Sequence, residues 1–95
     1  MDEFSKKLEI EVSKLSGAAA TLLLLDLMAR TPVDTGLAAS SWKLRLDSNN
    51  QVISNDVPYI EHLNHGSSKQ APSHFVERTA LQYGVPRGAI VEYKP

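Results

Sequence analysis

Thr31-Pro32-Val33-Asp34-Thr35-Gly36 is the stretch at which this chain changes character. Thr31 precedes a proline, whose ring pushes the preceding residue out of helical geometry, so a helix running up to Arg30 must end there. Asp34 can bond the backbone two residues on and Gly36 is free to take positive φ, so residues 31–36 read as a turn. Before the turn the apolar pattern is helical; after it the pattern alternates.

Upstream, residues 3–30 contain no proline and only Gly17, and Phe4, Leu8, Val12, Leu15, Ala19 and Leu22 recur at spacings of three and four. That periodicity predicts one long helix over 3–30, a rod of about 42 Å at ~1.5 Å per residue. Its first half alternates Lys6, Lys7, Glu9, Glu11 and Lys14 with the apolar stripe, whereas residues 18–29 are apolar nearly all round. Such a helix needs cover on more than one side. Either the sheet and a C-terminal helix supply it, or another copy of the chain does, which makes Leu22, Leu23 and Leu25 candidate subunit-interface residues. Gly17 marks either a bend, since glycine costs a helix ~1 kcal/mol relative to alanine, or a close-packing contact.

Downstream, Ser40, Trp42, Leu44 and Leu46 alternate with Ser41, Lys43, Arg45 and Asp47, the period of a strand with one buried face. Asp47-Ser48-Asn49-Asn50 is a turn cluster and residues 51–55 a returning strand, so 37–55 reads as a β-hairpin. Residues 56–72 are expected to hold a short helical turn, with Tyr59 and Leu63 inward, and a polar surface loop, Gly66-Ser67-Ser68-Lys69-Gln70. Ser73 can cap a second, shorter helix over 73–84 that buries Phe75, Val76, Thr79, Ala80 and Tyr83 and stops at Gly84 and Pro86. A terminal strand over 89–94 places Ala89, Val91 and Tyr93 on one face, to pair with the hairpin or a neighbouring subunit. The expected fold class is therefore α+β: a long N-terminal helix packed on a small antiparallel sheet, with a shorter C-terminal helix.

The 95 residues allow one small domain, and at this size folding buries about 60% of the unfolded chain's surface. With no cysteine, neither a disulfide framework nor a thiolate zinc site supplements that thin core. A net charge of -1 argues against a dedicated nucleic-acid binder. The apolar run 17–29 is broken by Thr21 and Asp26 and is shorter than the ~20 residues a bilayer requires. The acidic start, Met1-Asp2-Glu3, is unlike a signal peptide. The reading is a cytosolic protein with no membrane partner.

Chemistry is thinly represented. Glu61, His62, His65 and His74 could chelate a metal, since histidines three apart on a helical turn share a face, but solvent-facing histidines beside a loop explain them as well. Their spacing is not that of the metalloprotease helix. Ser40 and Ser41 lack a glycine-flanked nucleophile elbow, and Gly84-Val85-Pro86-Arg87-Gly88 lacks the Lys-Ser or Lys-Thr of a phosphate loop. Asp34-Thr35-Gly36 invites comparison with aspartic proteases, which require paired carboxylates and a largely β fold; the turn role accounts for the same residues. Lys43, Arg45, Lys69, Arg87 and Lys94 are scattered, as solvated charges are. No catalytic, cofactor or metal residue is assigned.

The order of an N-terminal helix, Thr31-Pro32-Val33-Asp34-Thr35-Gly36, Ser41-Trp42, Asn55, Pro58-Tyr59, Glu61, Gly66, Ala71-Pro72 and Phe75 through Ala80 resembles the tail-completion or head–tail joining (neck) proteins of tailed bacteriophages, over roughly residues 5–83. Ser67-Ser68 stand where that family commonly has a threonine after the glycine, and residues 87–95 lie beyond the match. The resemblance implies a minor tail component without enzymatic activity, forming a ring at the head-proximal end of the tail. It implies a homo-oligomer of six-fold symmetry, with subunits in heterologous contact. Expected partners are the head connector and the tail terminator or tube, with passing contact to genomic DNA in the lumen, and no cofactor. The expected location is the virion neck, after assembly in the host cytoplasm. Ser67, Ser68, Lys69 and Gln70 would be ordered by a neighbour. A tail terminator limiting tube polymerisation is the alternative within the same class, and a small histidine-dependent metal hydrolase the alternative outside it.

Overall fold

Lys7-Leu8-Glu9-Ile10-Glu11-Val12 satisfies two periods at once, because a short run of alternating residues can also fall on a helical stripe. In the computed structural model, which describes residues 7–32, 36–66 and 73–93, the period of two prevails and Lys7–Glu11 is a strand, β1. Ile10 and Val12 are β-branched and suited to a pleated surface. The chain then turns at Ser13 and Lys14, and Ser16 caps α1, Gly17–Arg30, by accepting the Ala19 N–H on its Oγ at 3.1 Å. Over its described part, 7–30, the expected helix is thus corrected to a strand followed by a helix of 14 residues, about 21 Å long. Gly17 is neither bend nor packing contact: it is the first residue of α1, and a Cβ there would meet nothing within 4 Å.

The remaining elements are α2 Leu37–Ser40, β2 Lys43–Asp47, β3 Asn50–Asn55, α3 Ile60–Asn64, α4 Phe75–Leu81, a 3₁₀ turn Arg87–Ala89 and β4 Ile90–Tyr93. The fold is α+β, as expected. Four strands make one antiparallel sheet in the order β2-β3-β1-β4, so β1 lies between the hairpin and the last strand. Without β1 the hairpin and β4 would have no common partner.

The hairpin begins later than position 37. Gly36 takes φ 75 and leads into α2, whose Ala38 is buried and whose Leu37 carbonyl accepts the Ser41 hydroxyl at 2.6 Å, so Ser40 belongs to a helical turn rather than a strand. Ser48 and Asn49, both at positive φ, connect β2 to β3 as a two-residue turn whose twist matches the strands.

Leu8 and Ile10 stand opposite Asn55 and Ile53 on β3 and opposite Glu92 and Ile90 on β4. Opposed residues of an antiparallel pair share a face. Leu8, Ile10 and Ile53 meet Leu23 and Leu27 of α1, Ile60 of α3 and Phe75, Val76 and Ala80 of α4 in one core. The other face carries Glu9, Ser54 and Val91 opposite one another, with Arg45 bonded to Glu9 (2.6 Å) and to Ser54 Oγ (3.0 Å). The core side of β4 is Ile90 and Glu92, opposite Ile10 and Leu8, and Val91 lies on the other face.

Two polar side chains hold the corners of the helical layer. Thr31 is buried; its hydroxyl donates to the Leu27 carbonyl at 2.6 Å and accepts from Trp42 Nε1 at 2.8 Å, tying the end of α1 to the start of β2. Asn55 donates to the Ala38 carbonyl (2.9 Å) and accepts the Val57 N–H (3.0 Å). Among the described residues no helix is long and apolar enough to cross a membrane.

Candidate functional site

Because α1 starts at Gly17, its apolar residues divide between two opposite faces. Ala20, Leu23 and Leu27 are fully buried against the sheet and α4. Ala18, Leu22, Leu25 and Ala29, spaced four, three and four apart, form an exposed stripe, with Leu22 57% and Leu25 53% exposed. Leu81 of α4, the helix in contact with α1, is 64% exposed. The sheet and α4 therefore leave one side of α1 bare. Of the expected interface residues, Leu22 and Leu25 lie on this surface; Leu23, with 0% exposure, is corrected to a core residue. Ser67, Ser68, Lys69 and Gln70 fall outside the described residues.

Polar contacts fix this surface in place. Asp26 accepts from Arg30 Nε at 2.8 Å and from the Tyr83 hydroxyl at 3.2 Å, joining α1 to the end of α4. Partial burial, then the hydrogen bond and the negative charge of Asp26, push the Tyr83 phenol above its ordinary range.

The turn motif is structural. Thr31 and Pro32 are buried, Trp42 closes over Thr31, and Gly36 supplies the left-handed residue that starts α2. Val33, Asp34, Thr35 and Pro72 lie outside the described residues. Pro58 and Tyr59 are exposed and lead into α3, whose Ile60 is buried; Tyr59 does not pack inward as expected, and Leu63 is half-buried. Gly66 has φ 97, and a Cβ there would approach Ser73 Cβ to 3.3 Å, so both conformation and space favour glycine. Phe75 is in the core.

Sequence reasoning missed Asn64. It is fully buried, accepts the Val76 N–H on Oδ1 at 3.0 Å and donates to Glu77 Oε1 at 2.8 Å, so it satisfies the start of α4 from another helix. Ser73 was expected to do so; its hydroxyl bonds His74 Nδ1 instead, and the cap position is His74 at φ 61. Of the four residues weighed as possible metal ligands, His62 is exposed and His74 lies with its ring 5.3 Å from that of His65, while Glu61 and His65 come together with Glu92, a residue not considered. Beneath the β1–α1 turn, Val12, Leu15, Val85, Pro86 and Ala89 line an apolar cleft of about 290 Å³.

No family model, no curated protein and no solved structure matches this chain.

Proposed function

We propose that this chain is a structural protein of the bacteriophage neck, a tail-completion or head–tail joining protein that forms a ring at the head-proximal end of the tail. The observation that carries the proposal is the bare stripe Ala18, Leu22, Leu25 and Ala29 on a helix whose opposite face already fills the core. A heterologous contact, in which this stripe meets a different surface of the next subunit, generates a closed ring when the rotation closes. The sheet face opposite the core carries the Glu9–Arg45 ion pair, a polar contact of the kind found at interface rims. The order of sequence elements from Thr31 to Ala80 supports the same reading.

Deleting the gene from the phage that encodes it and examining the lysate by electron microscopy tests the proposal. DNA-filled heads beside unattached tails of normal length are the expected result. Overlong tails would assign the protein to termination, and intact infectious virions would remove it from the neck.

A further inference from the structure

Glu61 of α3 and His65, the residue that caps the C-terminal end of α3, stand one turn apart and so on one side. β4 brings Glu92 to the same point, because its register against Leu8 turns it toward the helical layer. His65 Nε2 lies 3.0 Å from Glu92 Oε1, and one ligand atom from each of Glu61, His65 and Glu92 lies within 4.8 Å of the other two. Two carboxylates and an imidazole from two elements far apart in sequence therefore converge on one small volume.

We propose that Glu61, His65 and Glu92 form a binding site for a divalent transition-metal ion of the zinc class. Zinc–nitrogen and zinc–oxygen bonds of ~2.0 Å in tetrahedral geometry put neighbouring ligand atoms about 3.3 Å apart. The His65–Glu92 distance is already close to that edge, and the ligand atom of Glu61 lies within 4.8 Å of both others. The two carboxylates balance the charge of a divalent ion with neutral imidazole as the third ligand. An imidazole among the ligands selects zinc, cobalt or nickel over magnesium and calcium, which prefer oxygen alone.

The Glu92 carboxylate is also held from a second side. Asn64, buried and held by Val76 and Glu77, also donates from Nδ2 to Glu92 Oε2 at 3.3 Å. That contact orients the carboxylate so that Oε1 faces His65, as outer-shell donors do around metal ligands. A cleft of about 180 Å³ lined by Pro58, Glu61, His62 and His65 opens beside the ligands and gives water access to the remaining coordination position. The metal would staple β4, an edge strand, to α3. Pairing with β1 is the only ladder holding β4 in the sheet among the described residues.

Isothermal titration of the metal-free full chain with Zn(II), together with its thermal unfolding, tests the proposal. One zinc per chain is expected, with unfolding raised by roughly 10 °C or more at free zinc 100-fold above Kd. Zinc affinity is expected to fall at least 10-fold in Glu61→Gln, a change that leaves the His65–Glu92 pair intact. It is lost in His65→Ala. Co(II) in place of zinc should give the absorption of a tetrahedral site. If zinc neither binds nor shifts unfolding, Glu61, His65 and Glu92 are a surface ion pair and its neighbour, and the proposal is wrong. Equal affinity in the wild type, Glu61→Gln and His65→Ala would place zinc elsewhere and overturn it as well. Circular dichroism of each metal-free variant establishes that it is folded before zinc is added.

Discussion

Thr31→Val isolates what the first residue of the turn motif contributes. Valine has nearly the shape of threonine, so packing is preserved while the hydroxyl is lost. The Leu27 carbonyl keeps a partner, because the Thr31 N–H also donates to it at 3.0 Å. Trp42 Nε1 does not: its acceptor at 2.8 Å disappears in a site where both residues are buried. An orphaned buried donor costs about 1–3 kcal/mol. The methyl group gained in the core returns at most ~0.8 kcal/mol, so that from the middle of that range, ~2 kcal/mol, a net loss of about 1–2 kcal/mol remains. At an m value of about 1 kcal/mol/M the urea midpoint falls by roughly 1–2 M. Far-UV circular dichroism is the probe, because the same substitution must be repeated in a Trp42→Phe background that lacks the tryptophan. There is no indole N–H to orphan in that background, so Thr31→Val should cost at least ~1 kcal/mol less. An equal cost in both backgrounds, within ~0.5 kcal/mol, would refute the hydrogen bond as the reason for threonine at this position.

Asn64→Ala strips Val76 of its acceptor in the interior and should cost about 2–3 kcal/mol in urea unfolding. Gly17→Ala, where added volume meets nothing, should stabilise the fold by about 0.4–1 kcal/mol in the same assay. Leu22→Glu and Leu25→Glu should change stability by no more than ~0.5 kcal/mol yet prevent incorporation into particles, whereas Leu23→Ala should cost about 2–5 kcal/mol, as urea unfolding and particle composition will show. The raised phenol of Tyr83 keeps its proton longer in the folded than in the unfolded chain. The stability it contributes is therefore whole below the ordinary tyrosine value of 10.0 and is lost as pH climbs through the higher folded value; tyrosinate absorbance should show a late-titrating group that Tyr83→Phe removes.

Where the sequence could be read, one physical constraint dominated locally. Pro32 ends α1 at Arg30 whatever the tertiary context, and the polar cluster Asp47-Ser48-Asn49-Asn50 makes a tight turn in which Asn49 readily takes positive φ. The expected α4 lies within 73–84, and β4 within 89–94, for the same reason. Residues 7–12 were misread because their helical and strand periods coincide. Only β3 and β4 decide between them, by supplying ladders on both sides, and those partners lie some 40 or more residues away in the register of Glu11 with Val52 and Lys7 with Tyr93. Glu92 could not be grouped with Glu61 and His65 for the same reason, since its orientation depends on a register that the sequence does not state. Asn64 is a further case: a polar residue in an amphipathic turn reads as exposed until the backbone it serves is known.

The residues that carry the phage-family resemblance and those that could carry assembly are largely different residues. Thr31, Pro32, Trp42 and Phe75 are buried, and Gly36 and Gly66 hold left-handed backbone; these fix the angle between α1 and the hairpin and the approach of α3 to α4. None of the four side chains is available to a partner. Leu22, Leu25 and Leu81 are available, but they belong to no part of the motif. It follows that substitutions at Thr31, Pro32, Trp42 and Phe75 act on assembly only through folding, and their effects should scale with lost stability. Surface-leucine substitutions should abolish assembly at unchanged stability, because a charge brought into an apolar contact is desolvated only when the contact forms. A motif variant that stayed fully stable yet failed to assemble would break this separation, and would place part of the partner's footprint on the turn itself.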